Sequence, residues 1–426
     1  MKLNCNVDVH HLTRVEGHGN IHVRVKEGKL DEARWDVVET PRFFEVMLRG
    51  MHSSSAALLT SRICGICSIS HCLTSLEATE AAFGIDLPPL AHKLRMLAKH
   101  GETLQSHYLH LFFLAAPDFL GLPSAIPLLQ QKPEVVEIAR RLKGLGNRIC
   151  DVVAGRTTHP VAFSAGGVTM RPPRQQLLEL RDALLRSQDD VAATAAIFAG
   201  FEIPNFTRQT EFVSLEGEAG GEYPFIGRAM VSTDGVHKGR GDYLAMTNEF
   251  VDGNNTSKWC KLSREAFAVG AMARFNNSHA LLRPEAIEAA RQLGLEAVCH
   301  NPFMNNVAQL VECVHCTHEA IRLIDEVVDD DGPLAAEVEP RAGSGVGAVE
   351  APRGILYHRY EYDEQGFIAR ADCVIPTTQN NLNIHLDLQA LVQQLAREPG
   401  MTDTRIELLC SMLVRAYDPC ISCSVH

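Results

Sequence analysis

The chain has 426 residues, of which 46% are hydrophobic and 22% charged, and its 40 basic and 52 acidic side chains leave a formal net charge of −12. This length corresponds to about two to three average domains or one large fused unit, with apolar residues enough for a large core; a disordered tail, a collagen-like fibre and a disulfide miniprotein are excluded. The acidic balance speaks against nucleic-acid binding, which rests on clustered Lys and Arg.

The stretch from Met1 to Arg14 lacks the apolar core of an export signal, so no signal is expected on this chain. Residues 13–19, Thr-Arg-Val-Glu-Gly-His-Gly, form a loop rich in titratable groups. Ile21, Val23 and Val25 then alternate with His22, Arg24 and Lys26; after a turn at Glu27-Gly28, Ala33, Trp35 and Val37 alternate again, which predicts a hairpin. A long helix starts at Pro88-Pro89, with Leu90, Leu94, Leu97, Leu104, Tyr108 and Leu111 on one face, and Pro117 is expected to end it. The most apolar stretch, from Tyr108 to Leu122, is interrupted by His110, Pro117 and Asp118, so no transmembrane helix is predicted.

Further helices are predicted at 134–154, 174–199, 284–296, 304–328 and 400–416. Residues 201–256 read as a loop-and-strand insertion, 329–352 as an acidic, glycine-containing connection, and 355–374 as a second hairpin turning near Asp363 to Gly366. The predicted fold class is mainly α, in the α+β sense: a multi-helix core around a long helix bundle, with small peripheral sheets near the N-terminus and before the C-terminal helices. Taken as one unit over residues 1–426, the chain divides into an N-terminal hairpin with a first cysteine loop (1–87), a helical core (88–200), the insertion (201–256), a second helical stretch (257–350) and a closing segment with a second cysteine motif (351–426).

Thirteen cysteines are too few for a disulfide scaffold. Three C-x-x-C pairs stand out. Cys313 and Cys316 sit at helical spacing with Ala320, Leu323 and Val327, where cysteine packs as a small hydrophobe, so core packing is the expectation, despite His315 and His318 nearby. Cys64 and Cys67 flank Gly65, which permits a tight turn, with His71 four residues on. Cys420 and Cys423 follow Asp418-Pro419, near the terminal His426. The last two pairs can meet only in the folded chain, where four soft thiolates suit zinc, an iron–sulfur cluster, or nickel with low-spin iron. A structural zinc site is the plain reading of the spacing. Against it, zinc pairs usually lie close in sequence and staple a small module. The surroundings also carry Glu16, His18, Arg62, His71, Arg353, Asp418 and His426, more polar groups than a closed site needs.

Arg62-Ile63-Cys64-Gly65-Ile66-Cys67 together with the segment from Asp418 to His426 resembles the catalytic large subunit of nickel–iron hydrogenases. Arg14-Val15-Glu16-Gly17-His18, Pro41-Arg42-Phe43-Phe44-Glu45, Ala351-Pro352-Arg353-Gly354 and Pro376-Thr377-Thr378 extend the resemblance, which runs from residue 10 to residue 426 as one large-subunit domain. It implies that Cys67 and Cys423 bridge nickel and iron while Cys64 and Cys420 bind nickel alone, the iron carrying carbon monoxide and cyanide. It further implies that hydrogen is split heterolytically and reversibly, with Cys420 as first proton acceptor and Glu16 as relay carboxylate. Arg353 would hold positive charge over the open position, with Asp418 as its partner, and Thr377 would donate to a cyanide nitrogen. Magnesium, or another divalent ion, is implied near the C-terminus, on Glu45, His426 and the backbone carbonyl of Cys373. His71 is read as orienting the cysteine loop. Ser106 stands where some relatives place an acidic residue near nickel.

The resemblance also implies partners: a small subunit with iron–sulfur clusters, diaphorase or other electron-transfer subunits, a maturation protease and metal-insertion proteins. The motifs around residues 41–45 and 376–380 look like the cytosolic, multi-subunit group linked to NAD(P) or other soluble carriers, which makes a cytoplasmic location the expectation. Large subunits of this kind are usually made with an extension cleaved after the motif histidine, so a chain stopping at His426 looks mature, or like a member without one. The rival readings are a hydrogen sensor with low turnover, a non-enzymatic four-cysteine zinc protein, and the related quinone-reactive subunit of respiratory complexes, which lacks the cysteines.

Overall fold

A computed structural model describes residues 3–217 and 221–426. It bears out the α+β expectation: long helices form the bulk, and the strands fall into small separate sheets. The N-terminal hairpin is present as strands Gly19–Lys26 and Lys29–Val37, paired antiparallel, and Cys5–Val9 adds a third strand on the outer edge. Ile21, Val23, Val25, Ala33, Trp35 and Val37 are buried, so the period-two pattern marks the inward face. Trp35 is anchored to a distant helix by its indole N–H, which donates to Asn381 Oδ1 at 2.9 Å.

The central helix spans Pro89–Leu109 and packs against Pro133–Ala154 and Asn305–Val327, forming the largest apolar core. Pro117 does not end it. The chain stays helical through a π turn at His110–Ala115 into a short helix, Ala116–Phe119, whose first turn holds Pro117. There the missing proline N–H needs no partner. The predicted helix 174–199 is two, Arg174–Arg186 and Gln188–Ala199, broken at Ser187. Cys313 and Cys316 are fully buried inside Asn305–Val327, as core packing requires.

Among the helices with no counterpart in the periodicity, the two longest are Ser68–Phe83 and Pro376–Leu395. Both are buried nearly all round, and both carry Ser, Thr, Asn or Gln on buried faces, which erases the amphipathic signal. Pro376 opens a helix at its first position rather than a turn. The insertion contains strands Glu211–Leu215, Ala229–Ser232 and His237–Gly239, joined by Phe267–Ala268 into a four-stranded sheet; its residues 218–220 lie outside the described residues.

The connection expected at 329–352 ends in a strand. Gly343–Ala351 pairs with Gly354–Tyr362, which pairs with Ile368–Val374, so the second hairpin supplies the central strand and one edge of a three-stranded sheet. The glycines at 343, 345 and 347 all face the helix Ser68–Phe83. A Cβ on Gly345 would lie 2.2 Å from the Ala78 carbonyl oxygen and 2.3 Å from the Ala82 nitrogen. Strand and helix backbones therefore touch directly, which ties the helix behind the first cysteine loop to the strand that leads to Arg353. We expect Gly345→Ala to cost about 2–3 kcal/mol of stability, because the added methyl meets backbone on both sides. Urea unfolding of the variant tests this, and an unchanged midpoint would show that the two backbones part freely.

Candidate metal centre

The two outer C-x-x-C pairs meet. Cys67 caps the start of Ser68–Phe83, and Cys420 precedes a last helical turn, Ile421–Ser424, that holds Cys423. All four sulfurs lie within 4.8 Å of one another and all four residues are buried. Among the described residues this is the one such grouping of three or more His, Cys, Asp or Glu ligand atoms. Cys64 Sγ lies 3.6 Å from Cys420 Sγ, close to the edge of about 3.7 Å that a thiolate tetrahedron with bonds of about 2.3 Å requires. The Cys420 and Cys423 sulfurs are in direct contact. The four-cysteine donor set and the Cys64–Cys420 spacing fit a metal. Backbone N–H groups of Ile66 and Cys67 donate to Cys64 Sγ, both at 3.3 Å. The Cys67 thiol and, against burial, the Arg353 guanidinium hold the Cys64 thiol below its ordinary pKa.

The loops are fixed to each other by Arg42. Its guanidinium donates to the carbonyl of Ile63 at 2.8 Å and to that of Ser422, and its backbone N–H donates to Val425 O at 2.9 Å. The expectation that Arg62 lines the site is corrected: Arg62 is exposed, and the arginine between the loops is Arg42. His18 is also turned outward, paired with Glu39 at 2.7 Å.

Glu16 reaches the sulfurs through its own backbone. The segment around it bridges Cys420, with Ile421 N–H donating to Glu16 O at 2.9 Å. Gly17 permits this approach: it has φ +86°, and a Cβ there would lie 2.7 Å from Ile421 Cβ. The Glu16 carboxylate then stands 3.1 Å from Cys420 Sγ and accepts from the Ser422 N–H at 3.0 Å and from the Ser422 hydroxyl.

Arg353 sits in the tight turn between Gly343–Ala351 and Gly354–Tyr362. It is 4% exposed, yet every branch of its guanidinium is engaged: Nε with Asp418 O at 2.6 Å, Nη2 with Asp418 Oδ1 at 2.8 Å and Nη1 with Ser106 Oγ at 3.2 Å. Burial opposes its charge, but Asp418 outweighs this and keeps Arg353 protonated. The turn itself hangs on Arg274, fully buried in the helix Ala271–Ser278. Its five N–H donors go to Glu312 (2.6 and 2.7 Å), Glu350 (2.8 Å) and the carbonyls of Ala351 and Pro352 (3.1 Å each).

Thr377 lies in the first turn of Pro376–Leu395, and its hydroxyl oxygen accepts from Cys420 N–H at 3.0 Å. The three residues expected around a divalent ion also converge. His426 Nε2 is 2.8 Å from the Cys373 carbonyl oxygen and 3.6 Å from Glu45 Oε1, which in turn accepts from Cys373 N–H at 2.8 Å. Adjacent corners of an octahedron with bonds of about 2.1 Å are about 3 Å apart, so an imidazole nitrogen and a carbonyl at this spacing fit one small cation. Burial raises the Glu45 pKa, but His426 outweighs it and holds Glu45 below the ordinary range. His71 donates its backbone N–H to Cys67 O at 3.1 Å, and its ring faces His358 at 3.4 Å.

Arg42, Ser422, Arg274 and Gln309, which donates to Asp418 at 3.1 Å, carried no individual signal in the sequence. Arg42 and Ser422 lie inside motifs already noted. Gln309 lies on a helix whose apolar periodicity conceals it, and Arg274 lies on a short helix, Ala271–Ser278, that the periodicity did not predict.

Comparison with known proteins gives one answer. The family described as nickel-dependent hydrogenase matches residues 42–200 and 252–426, and one described as HoxL-like matches residues 6–40. The sulfhydrogenase 2 alpha subunit of Pyrococcus furiosus is 32% identical, across 99% of this chain and 98% of that one. The NAD-reducing hydrogenase HoxS beta subunit of Cupriavidus necator is 29% identical, across 97% and 93%. A crystal structure of an NAD+-reducing [NiFe]-hydrogenase in the H2-reduced state superposes with a TM-score of 0.88 at 29% identity, over the whole of both chains.

The Arg274 network yields a stability test. Arg274→Met leaves the Glu312 and Glu350 carboxylates buried without their cation, and we expect a loss of about 3–5 kcal/mol in chemical denaturation. A loss below about 1 kcal/mol would mean that the turn bearing Arg353 is held by other contacts.

Proposed function

The chain belongs to the nickel-dependent hydrogenase family, as a catalytic large subunit, and from that premise we propose that it cleaves H2 reversibly and heterolytically between the four cysteines, with Glu16 and Arg353 completing the site. The observation that carries this reading is the arrangement of charge: a carboxylate lies 3.1 Å from one ligand sulfur, and a guanidinium buried beside the group supports a second thiolate. A closed structural zinc site has use for neither.

Cys64, Cys67, Cys420 and Cys423 would hold a nickel–iron pair with carbon monoxide and cyanide on iron, which supplies the polarising, redox-active centre when bound. All four cysteines serve as separate thiolates in that role. Cys420 sulfur takes the first proton, because among the described residues it is the one of the four cysteines with a carboxylate in hydrogen-bond reach. Glu16 receives it and is held for the transfer by two donors from Ser422. Arg353 would keep a fixed positive charge beside the bound group, and its pairing with Asp418 holds its aim as charge develops. The Thr377 hydroxyl oxygen accepts from Cys420 N–H, and its O–H would be the donor to a cyanide nitrogen. Glu45, His426 and the Cys373 carbonyl would hold magnesium, closing the C-terminal segment onto the strand Ile368–Val374.

Two electrons per H2 must leave through another chain, since the other cysteines form no second cluster among the described residues. We assign that role to an iron–sulfur small subunit, with diaphorase-type subunits passing the electrons to a soluble carrier, NAD(P) in keeping with the NAD-reducing relative. A maturation protease and metal-insertion proteins belong to the same reading, as does a cytoplasmic site of action. Among the described residues, no helix is long and apolar enough to cross a membrane.

Metal analysis of the natively purified complex should give nickel near one per chain with iron in excess; zinc in place of nickel would overturn the reading. Cys420→Ser should lower turnover by more than about 100-fold. Glu16→Gln should leave nickel bound while slowing hydrogen–deuterium exchange by about 100-fold or more, and exchange at the wild-type rate would remove Glu16 from the proton route.

A further inference from the structure

His110 opens the π turn that follows the central helix and is 1% exposed. Its ring nitrogens face two oxygen atoms: Nδ1 lies 2.6 Å from Gln309 Oε1, and Nε2 lies 2.7 Å from the carbonyl oxygen of Arg415. A carbonyl cannot donate, so Nε2 must carry a proton for that contact to be favourable. The Gln309 amide is oriented by its other end, where Nε2 donates to Asp418 Oδ2 at 3.1 Å. Reversing the amide would set its oxygen against a carboxylate that is already paired with Arg353 at 2.8 Å. Gln309 therefore offers His110 only an acceptor, and Nδ1 must carry a proton as well.

We propose that His110 is held as an imidazolium, and that it acts through Gln309 as a positioning residue for Asp418 and hence for Arg353. The inference rests on the role given to Arg353 above. A buried cation needs compensation, and the fold supplies it from two sides. Arg415 closes the helix Asp403–Ala416, so His110 sits at the negative end of that helix. Asp418 lies beyond the Gln309 amide. Of the other charged groups nearby, Arg14 and Arg415 share the one carboxylate of Asp118, and His107, one turn earlier on the central helix, lies 2.8 Å from Glu312.

The chain Arg415 carbonyl, His110, Gln309, Asp418, Arg353 has one consistent set of hydrogen positions, in which each donor meets an acceptor. Removing the imidazolium frees the Gln309 amide to rotate, and Asp418 loses the contact that fixes its second oxygen. Neutron diffraction from the deuterated, nickel-loaded complex tests the protonation without relying on turnover. Deuterium on both nitrogens of His110 is expected, and one bare nitrogen overturns the proposal. In nickel-loaded His110→Gln, kcat should fall about tenfold, the scale of one charge-assisted hydrogen bond, with the KM for hydrogen unchanged. Wild-type kcat in that variant overturns the positioning role. Failure of the hydrogenase reading would show separately, as a wild-type complex without nickel.

Discussion

The structure depends on one closure: the first and last segments of the chain must meet and stay met. Four sulfurs from opposite ends of the sequence share a space less than 5 Å across, within which a small shift separates a usable ligand set from scattered thiols. Two devices hold the closure. The Arg42 guanidinium spans the backbones of both cysteine loops, and the backbone of Glu16 pairs with the segment that begins at Cys420. Both use main-chain atoms, so the closure fixes loop geometry without occupying the sulfurs. The same pairing that brings the loops together delivers the Glu16 carboxylate to Cys420. Assembly of the site and placement of its proton acceptor are thus a single structural event.

Around this closure the protein buries an unusual amount of charge. Arg353 with Asp418, Arg274 with Glu312 and Glu350, and Arg415 with Arg14 and Asp118 all lie out of water. Such pairs are poor sources of stability, because desolvation consumes most of the attraction. Their value here is positional. A guanidinium with all five donors engaged cannot rotate, and a turn hung from it inherits that rigidity. Burial, with a contribution from the Glu312 carboxylate, shifts Glu350 upward, to about 7, despite its contact with Arg274. Glu312, with Arg274 and His107 both on it, is held well below the ordinary carboxylate range. One arginine thus serves two carboxylates unequally.

Much of the site was legible in the sequence because its residues occur in short motifs. Gly65 between two cysteines, Glu16 beside Gly17, and Asp418-Pro419 before Cys420 each carry local chemistry that spacing exposes. The hairpins and the amphipathic helices were legible for the ordinary reason that one face is buried and the other wet. The helices Ser68–Phe83 and Pro376–Leu395 were not, because a helix enclosed on all sides by protein has no wet face, and its polar residues answer to buried partners. Glu102 shows this well: from the central helix it accepts from the N–H groups of Ile69 and Ser70, a cap supplied by a residue remote in sequence. The strand Gly343–Ala351 escaped for a related cause, since its glycines are set by the helix they touch rather than by strand propensity.

What the sequence determined alone was the inventory: which thiolates are available, which carboxylates and arginines accompany them, and a composition able to bury them. Which of these groups meet was decided only in three dimensions. Arg62 and Arg42 are equally basic, and Arg62 is much the nearer to the cysteines in sequence, yet Arg62 faces solvent and Arg42 clamps the site. Gln309 and His110 read as members of helices, and only packing turns them toward Asp418. The physical reason is that covalent neighbours fix local backbone, whereas the direction of a buried polar side chain is set by the partner that satisfies it, and that partner is generally far along the chain.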